Sequence, residues 1–570
     1  MQQKEMIVQN TANKAHASVA DYIIAELAKN GVTHIFGYPG ASILPLMAAI
    51  DRHPIVEWVL MRNEASAALA ASAHAKLTRK MSVCMATSGP GATNLITGLL
   101  DAQCDSAPVL AITGLVQTWR QGRYEFQDID SAKVLGDLLS HSVHCDHPDQ
   151  LPPMLHDCLG RSQQQHAVVH MAIATDVQSY TPAADDERFH VSTHGQSPIS
   201  QPPQEQLISK IAAELSAAKH VVIAVGPGAV GAGSAIEDLA AKLNAPIITA
   251  FSAKGIIDES HECAMGVLGI FGAPGAAMAH KVINNADTIL AFGLSELAPF
   301  VAGQNGVQVR ALYQCEQDYA DVTHKFHRKG TLIGPLRDIA LSLVKATSDA
   351  GSRALLDEAI AERRTFVQEW DQRAEQEEAT FVHPVKFLNC LNPYLEPDSI
   401  ITLDIGDNAV WAAQFLHLTG RQRVLVSENL GVMGFALPAA IAASLARPTL
   451  RVVAVVGDGG LQMTIGELAT AAQYGANFVL IIFNNGVLGR ITAQQKKQFG
   501  SFLKNPDFVA LAEAYGIAAK RVDSDQDIMP ALKSAFEYRD RPFIIEVKCD
   551  AKILAPMSKW DDGFTPVHFS

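Results

Sequence analysis

The sequence predicts an α/β protein built from three doubly wound parallel-sheet domains. Two observations carry this. Short apolar runs that read as buried parallel strands alternate with stretches of helical spacing over 16–180, again from Val221, and again from Ile400 onward. The rhythm breaks twice, at a polar stretch over 181–203 rich in Pro, Asp, Ser and Gly, and at a highly charged stretch over 346–380 with helical periods from Arg353 to Glu377. The expected division is 1–180, a linker 181–203, 204–345, a connecting segment 346–380, and 381–570.

In order, the first domain reads as a helix over 18–29 and a strand over 32–36 that ends on Gly37-Tyr38-Pro39-Gly40. A helix over 45–50 and a strand over 55–60 lead to Arg62-Asn63-Glu64, then to an Ala-rich helix over 65–77. The strand 81–86 ends on Thr87-Ser88-Gly89-Pro90-Gly91; a helix from Ala92 and a strand over 109–113 follow. The middle domain opens with a strand over 221–225 and Gly226-Pro227-Gly228-Ala229-Val230-Gly231. That turn matches GxGxxG, but 246–250, the next strand, carries no acid for a ribose, so a nicotinamide site is not expected.

The third domain opens with a strand over 400–403 ending on Asp404-Ile405-Gly406-Asp407, and 427–438 precedes another Ala-rich helix. Its centre is 452–490. A strand over 452–456 turns at Gly457-Asp458-Gly459-Gly460, and one helix is marked by Leu461, Ile465, Leu468, Ala469 and Ala472. A second strand over 478–483 ends on Asn484-Asn485, so both turns lie at the carboxyl edge of a parallel sheet, where α/β proteins bind ligands. The two end domains show no clear sequence repeat.

The net charge of −14 argues against nucleic acid as the main partner. Eight scattered cysteines without a CxxC pair read as reduced thiols. The N-terminus has no apolar signal core, and no apolar run nears the ~20 residues needed to cross a bilayer. The expectation is a cytoplasmic protein with no membrane partner. His141, His144, Cys145, Asp146 and His147 suggest a metal cluster, but in a strand positions 141 and 144 face opposite sides, and no second cluster has zinc spacing.

Gly457 and Gly459 allow close approach of backbone to a diphosphate, while Asp458 and Asn485 offer hard oxygens of the kind Mg²⁺ takes together with phosphate oxygens. This spacing resembles the GDG…NN signature of thiamine diphosphate enzymes. Together with FGYPGASILPL at 36–46, MRNEASAALAA at 61–71 and TSGPGATNLITGLLDAQCDSAPVLAITG at 87–114, the chain resembles the acetolactate synthase and pyruvate oxidase family. The resemblance implies the thiamine diphosphate-binding fold. It implies Mg²⁺ on Asp458, the side-chain oxygen of Asn485 and the backbone carbonyl of Val487, and cofactor contacts at Gly40, Glu64, Gly431, Met433, Gly457, Asp458, Gly459, Gly460, Asn485, Val487 and Leu488. The resemblance further implies that Glu64 bonds the aminopyrimidine and drives loss of the thiazolium C2 proton, that Met433 wedges between the two rings, and that Phe126 and Gln127 are candidate substrate contacts. A helix-start carboxylate, a gap-filling core methionine and a polar surface loop are the ordinary readings of the same residues. The family places each cofactor between two chains, which implies a homodimer or homotetramer. Some members hold FAD in the middle domain. Gly293-Leu294-Ser295-Glu296-Leu297 and Gly334-Pro335 depart from the flavin-holding synthases, so FAD stays open.

The reaction the resemblance implies is decarboxylation of a 2-oxo acid, with transfer of the acyl unit to a carbonyl acceptor. Thr113-Gly114-Leu115 stands where simple decarboxylases carry a His-His pair. Leu115, Ser140 and the region of Gln494 depart from the Gln, Lys and Trp of the synthases, and FNNGVLG at 483–489 with Val410-Trp411-Ala412-Ala413 is closer to quinone-linked pyruvate oxidases. A pyruvate oxidase, a 2-oxo acid decarboxylase and a non-catalytic binding protein remain alternatives; Glu64, Asp458 and Asn485 together argue against the last. Arg490 follows Leu488-Gly489 where relatives have Met or Phe. It either holds an anionic group of the substrate by paired hydrogen bonds or turns outward into solvent.

Overall fold

The computed structural model describes residues 17–181, 205–268, 285–294, 311–322, 327–348, 352–377, 379–495 and 497–556, with three isolated positions between 279 and 283. It contains three six-stranded sheets, each parallel throughout.

The first sheet is β1 (His34–Gly37), β2 (Glu57–Leu60), β3 (Ser82–Ala86), β4 (Val109–Leu115), β5 (His141–Cys145) and β6 (Val168–Ala174), in the order β2-β1-β3-β4-β6-β5. The second is β7 (Val221–Val225), β8 (Ile247–Thr249), β9 (Ala264–Val267), β10 (Thr288–Phe292), β11 (Ala311–Glu316) and β12 (Gly330–Ile333), in the order β12-β11-β10-β7-β8-β9. The third is β13 (Ile400–Leu403), β14 (Arg423–Leu425), β15 (Val452–Gly457), β16 (Phe478–Asn484), β17 (Ala518–Val522) and β18 (Phe543–Lys548), in the order β14-β13-β15-β16-β18-β17. The central strands β4, β6 and β16 are buried at every residue, the burial expected of strands covered on both faces. Each sheet has its own apolar core.

Numbered from its own first strand, the third sheet repeats the order of the first. This repeat exists at the level of topology and left no visible trace in the residues. The second sheet has a different order, with its reversal between β7 and β10. The Gly226–Gly231 turn follows β7 at that reversal, where Gly226 and Gly228 donate their N–H groups to the carbonyls of Phe292 and Gly293 at 2.9 Å each.

Two compact units divide the chain. One holds the first sheet together with 429–447 and 464–476; the other holds the second and third sheets. The charged segment forms the helix Ala354–Gln376. Leu355, Leu356 and Ala359 join the core of the second sheet, and Ala374 joins that of the third, with Phe366 and Trp370 packed against it.

The single helix expected after β15 is instead two, Asp458–Thr464 and Glu467–Tyr474, interrupted at Ile465 and Gly466. Gly457 closes the strand and Asp458 already begins the first helix, so the four-residue turn expected at 457–460 is a direct strand-to-helix transition. The apolar period continues across the break, which is why spacing alone could not find it. Among the described residues no group of His, Cys, Asp and Glu could hold a metal ion by itself, and His141 and His144 lie in β5. No described helix is long and apolar enough to cross a membrane.

Candidate active site

In the first unit, the turns that follow β1, β2 and β3 converge at the carboxyl edge of the first sheet. Glu64 is the first residue of the helix Glu64–Thr78, and Asn63 caps that helix by accepting from the Ala65 N–H at 2.8 Å. Glu64 is 8% exposed, and its Oε2 accepts from the Asn94 side-chain amide at 2.9 Å. A Cβ on Gly91 would lie 3.6 Å from Glu64 Oε1, and a Cβ on Gly40 would lie 2.3 Å from the Cβ of Thr87. Gly40 is therefore needed for the turn after β1 to lie against the turn after β3. Ser42 ties the two turns together, its hydroxyl accepting from the Ser88 N–H at 2.8 Å and pairing with Thr87 Oγ1 at 2.9 Å.

Gln127 reaches the same place. Its backbone is left-handed, with φ +59°, and a Cβ on Gly89 would lie 3.0 Å from the Gln127 Cβ. The loop before it is self-braced: the Asp128 carboxylate accepts the N–H groups of Arg123 and Tyr124, and Arg120 pairs with Glu125. Phe126, by contrast, is 80% exposed. Gly431 (φ +74°) and Met433 also belong to this unit, on the segment before the helix Ala436–Ala446. Met433 is half-buried, not a closed-in core methionine.

The second unit carries the other predicted residues, at the carboxyl ends of β15 and β16. Asp458 is 2% exposed. Its Oδ2 accepts from the Asn505 amide at 2.5 Å and the Gly486 N–H at 2.8 Å, and its Oδ1 from the Gly459 N–H at 3.0 Å. Burial pushes its pKa up, and only hydrogen-bond donors oppose that shift. A buried carboxylate stabilised by dipoles alone is a chemically apt place for a divalent cation.

Asn485 Oδ1 accepts from the Val487 N–H at 3.1 Å, which folds the segment after β16 back on itself. Val487 pairs with Phe502 in an isolated bridge, and Leu488 donates its N–H to the Ser501 carbonyl at 2.8 Å. A Cβ on Gly460 would come 2.4 Å from Asp404 Oδ1, so glycine is required there for the backbone to pass. Gly457 is next to Asn408, whose Oδ1 would be 3.2 Å from a Cβ on it. Arg490 is half-buried; burial lowers its pKa and the charge of Asp407 opposes this. Asp407 Oδ2 would be 2.4 Å from a Cβ on Gly489.

The structure thus gathers Gly40, Glu64 and Gln127 in one place, and Gly457 to Gly460 with Asn485, Val487 and Leu488 in another. Asn94, Asp407 and Asn505 were not singled out by the sequence. Each comes from a segment distant from the residue it serves: Asn94 ends the helix Pro90–Asn94, Asp407 opens the helix Asp407–Phe415 and Asn505 lies in a loop, all ordinary places for an Asn or Asp until the partner is known.

Comparison with known families agrees with this geometry. Residues 17–134 match the thiamine pyrophosphate enzyme N-terminal TPP binding domain, 208–339 the central domain, and 404–547 the C-terminal TPP binding domain. The chain belongs to the thiamine pyrophosphate enzymes, in the acetolactate synthase and pyruvate oxidase family. Its relatives include a "probable acetolactate synthase large subunit" of Methanocaldococcus jannaschii, 30% identical over 94% of this chain and 93% of that protein. An acetolactate synthase of Arthrospira platensis is 31% identical over 92% and 93%. The acetolactate synthase isozyme 1 large subunit of Escherichia coli is 28% identical over 95% and 96%.

Proposed function

We propose that the protein decarboxylates a pyruvate-like 2-oxo acid and joins the remaining acyl unit to a carbonyl acceptor, as an acetolactate synthase-like carboligase. The observation that carries the proposal is the buried Glu64 carboxylate, held by Asn94 among the glycine turns of the first sheet. When bound, thiamine diphosphate supplies a carbon nucleophile and accepts the electron pair left when CO₂ departs. Glu64, buried and held by Asn94, would hydrogen-bond the aminopyrimidine ring of the bound cofactor and act as its proton-transfer partner. Asp458, the side-chain oxygen of Asn485 and the carbonyl of Val487 would hold Mg²⁺, which would compensate the charge of the diphosphate; the burial of Asp458 with dipolar partners supports this. Gly40, Gly431, Met433, Gly457, Gly459, Gly460 and Leu488 line the cofactor, and Gln127 with Phe126 faces substrate.

Carboligation is favoured over plain decarboxylation because Thr113-Gly114-Leu115, at the end of β4, offers no paired histidines as proton donors. The names of the relatives support the same reading. A cytoplasmic homodimer or homotetramer is part of the proposal. Pyruvate supplied with a panel of carbonyl acceptors should give more C–C bonded product than acetaldehyde. Acetaldehyde as sole product across the panel would overturn the carboligase reading. The absorbance spectrum of the purified protein decides whether FAD belongs with it, since flavin colours the protein yellow.

A further inference from the structure

Among the described residues β2 is the outermost strand of the first sheet, and one side of its backbone pairs with no described strand. Three side chains on one face of the helix Glu467–Tyr474 take that place. The Tyr474 hydroxyl accepts from the Leu60 N–H at 2.8 Å and donates to the Trp58 carbonyl at 3.0 Å. The Thr470 hydroxyl donates to Glu467 Oε2 at 2.7 Å and lies 3.3 Å from the Leu60 carbonyl. Glu467 continues the line past the end of the strand. Its Oε1 accepts from the N–H groups of Arg62 at 3.0 Å and Asn63 at 3.1 Å, and its Oε2 lies 3.1 Å from the Arg62 nitrogen.

Those are the two amides that precede Glu64. Glu467 is 1% exposed, and Ser66, in the first turn of the Glu64 helix, also hydrogen-bonds to it. A carboxylate suits this place because donors surround it. An amide would present an N–H₂ group to at least one of them, and a buried donor facing a donor is costly.

We propose that Glu467 is a positioning residue for Glu64: it fixes the backbone entry to the helix Glu64–Thr78 and so sets where the Glu64 carboxylate points. This rests on the reading of Glu64 as the cofactor-activating group. Tyr474 supplies a built-in control, since it braces the same strand edge but holds no amide next to Glu64.

The test compares E467Q, T470V, Y474F and E64Q with the parent protein by three measurements. These are C2 proton exchange of bound thiamine diphosphate, cofactor affinity, and amide hydrogen exchange at Arg62 and Asn63 in the cofactor-free protein. E467Q should speed amide exchange at 62 and 63. It should slow C2 exchange by ~10-fold or more, because displacements of about 1 Å can cost on the order of 10²-fold. Cofactor affinity should change by less than ~3-fold, since Glu467 is buried and its carboxylate is taken up by Arg62, Asn63 and Thr470. T470V, which removes the donor to Oε2 and the longer contact to the Leu60 carbonyl, should do the same to a lesser degree and carries the test if E467Q does not fold. Y474F should lower the melting temperature and leave C2 exchange within ~2-fold. The proposal falls if E467Q and T470V leave C2 exchange normal while E64Q slows it. It falls equally if Y474F slows C2 exchange as much as E467Q does, because the role is then only to brace the strand. Normal C2 exchange in E64Q would remove the reading of Glu64 itself.

Discussion

The first and third sheets share one strand order and use it differently. In the first, the acidic group follows the second strand, at the sheet's edge: Glu64 comes after β2. In the third, the equivalent strand is β14, and the buried acid lies further in, at Asp458 after β15, with Asn485 after β16. Their counterparts in the first sheet are β3 and β4, followed by Thr87-Ser88-Gly89-Pro90-Gly91 and by Val116-Gln117. An edge position leaves backbone amides beside the strand for another element to hold, as Glu467 does for Arg62 and Asn63. A central position lets residues from two neighbouring strands meet, as Asp458 Oδ2 and the Gly486 N–H do. One topology thus supports two arrangements: an edge strand leads into a helix that opens on the buried Glu64, and a central pair of strand ends encloses the buried Asp458 carboxylate.

The largest expected effect falls on the edge site. E64Q should keep cofactor binding largely intact and slow turnover by ~10²-fold or more, the usual range for a general acid–base group. Single-turnover kinetics with pyruvate reads this directly, and near-normal turnover would leave Glu64 a helix-start residue only.

At the central site the effect should appear in binding before it appears in rate. D458A removes a hard oxygen ligand and leaves phosphate charge uncompensated. Titration should then require at least ~10-fold more Mg²⁺ and thiamine diphosphate for half-maximal activity, the loss that ~1.4 kcal/mol produces. Unchanged affinity for both would place the metal elsewhere and break the comparison between the two sheets.

A smaller loss is expected from N505A, which leaves the metal ligands in place. The Asn505 amide bridges Asp458 Oδ2 and Asn484 Oδ1, and its own Oδ1 accepts from Gln462 at 2.8 Å. Orienting groups behind a metal ligand commonly matter by ~10-fold in affinity at the low end of their range. Mg²⁺ titration at saturating thiamine diphosphate checks it, and an effect equal to that of D458A would make Asn505 more than a brace.

How much of this was legible in the sequence follows from how local the cause is. The strands 221–225 and 400–403 fall where their apolar runs do, because a strand covered on both faces needs apolar residues without interruption. Glu64, Asp458 and Asn485 stand out because each closely follows a strand inside a recognisable motif. The topological repeat stayed hidden because strand order depends on which distant runs pair, and local spacing says nothing of that. Glu467 stayed hidden for a similar reason. In sequence it falls inside the single helix expected after β15, an ordinary place for an acid, and only the fold brings Arg62 and Asn63 to it, some 400 residues away in the chain.

Arg490 carries the smallest effect and the question of which substrate is chosen. It begins the second residue of the short helix Gly489–Gln494, five positions after Asn485. Burial lowers its pKa and the charge of Asp407 opposes that shift; a guanidinium is a cation in either case, and here it is half-buried beside Asp407. A cation in that place suits a donor or acceptor with an extra carboxylate or phosphate, which a planar guanidinium holds through two hydrogen bonds. R490M keeps much of the side-chain length and removes the charge. KM for an acidic acceptor should rise ~10-fold or more, through loss of ~1.5–3 kcal/mol for a charged hydrogen bond, while neutral acceptors change little. D407N sharpens the assignment: if Asp407 orients Arg490 toward substrate, it should raise the same KM by a lesser amount and leave kcat with neutral acceptors intact. Equal kinetics on acidic and neutral acceptors in R490M would mean that Arg490 serves only Asp407, and the selection of substrate would then have to come from the first sheet's side, where Gln127 stands against Gly89.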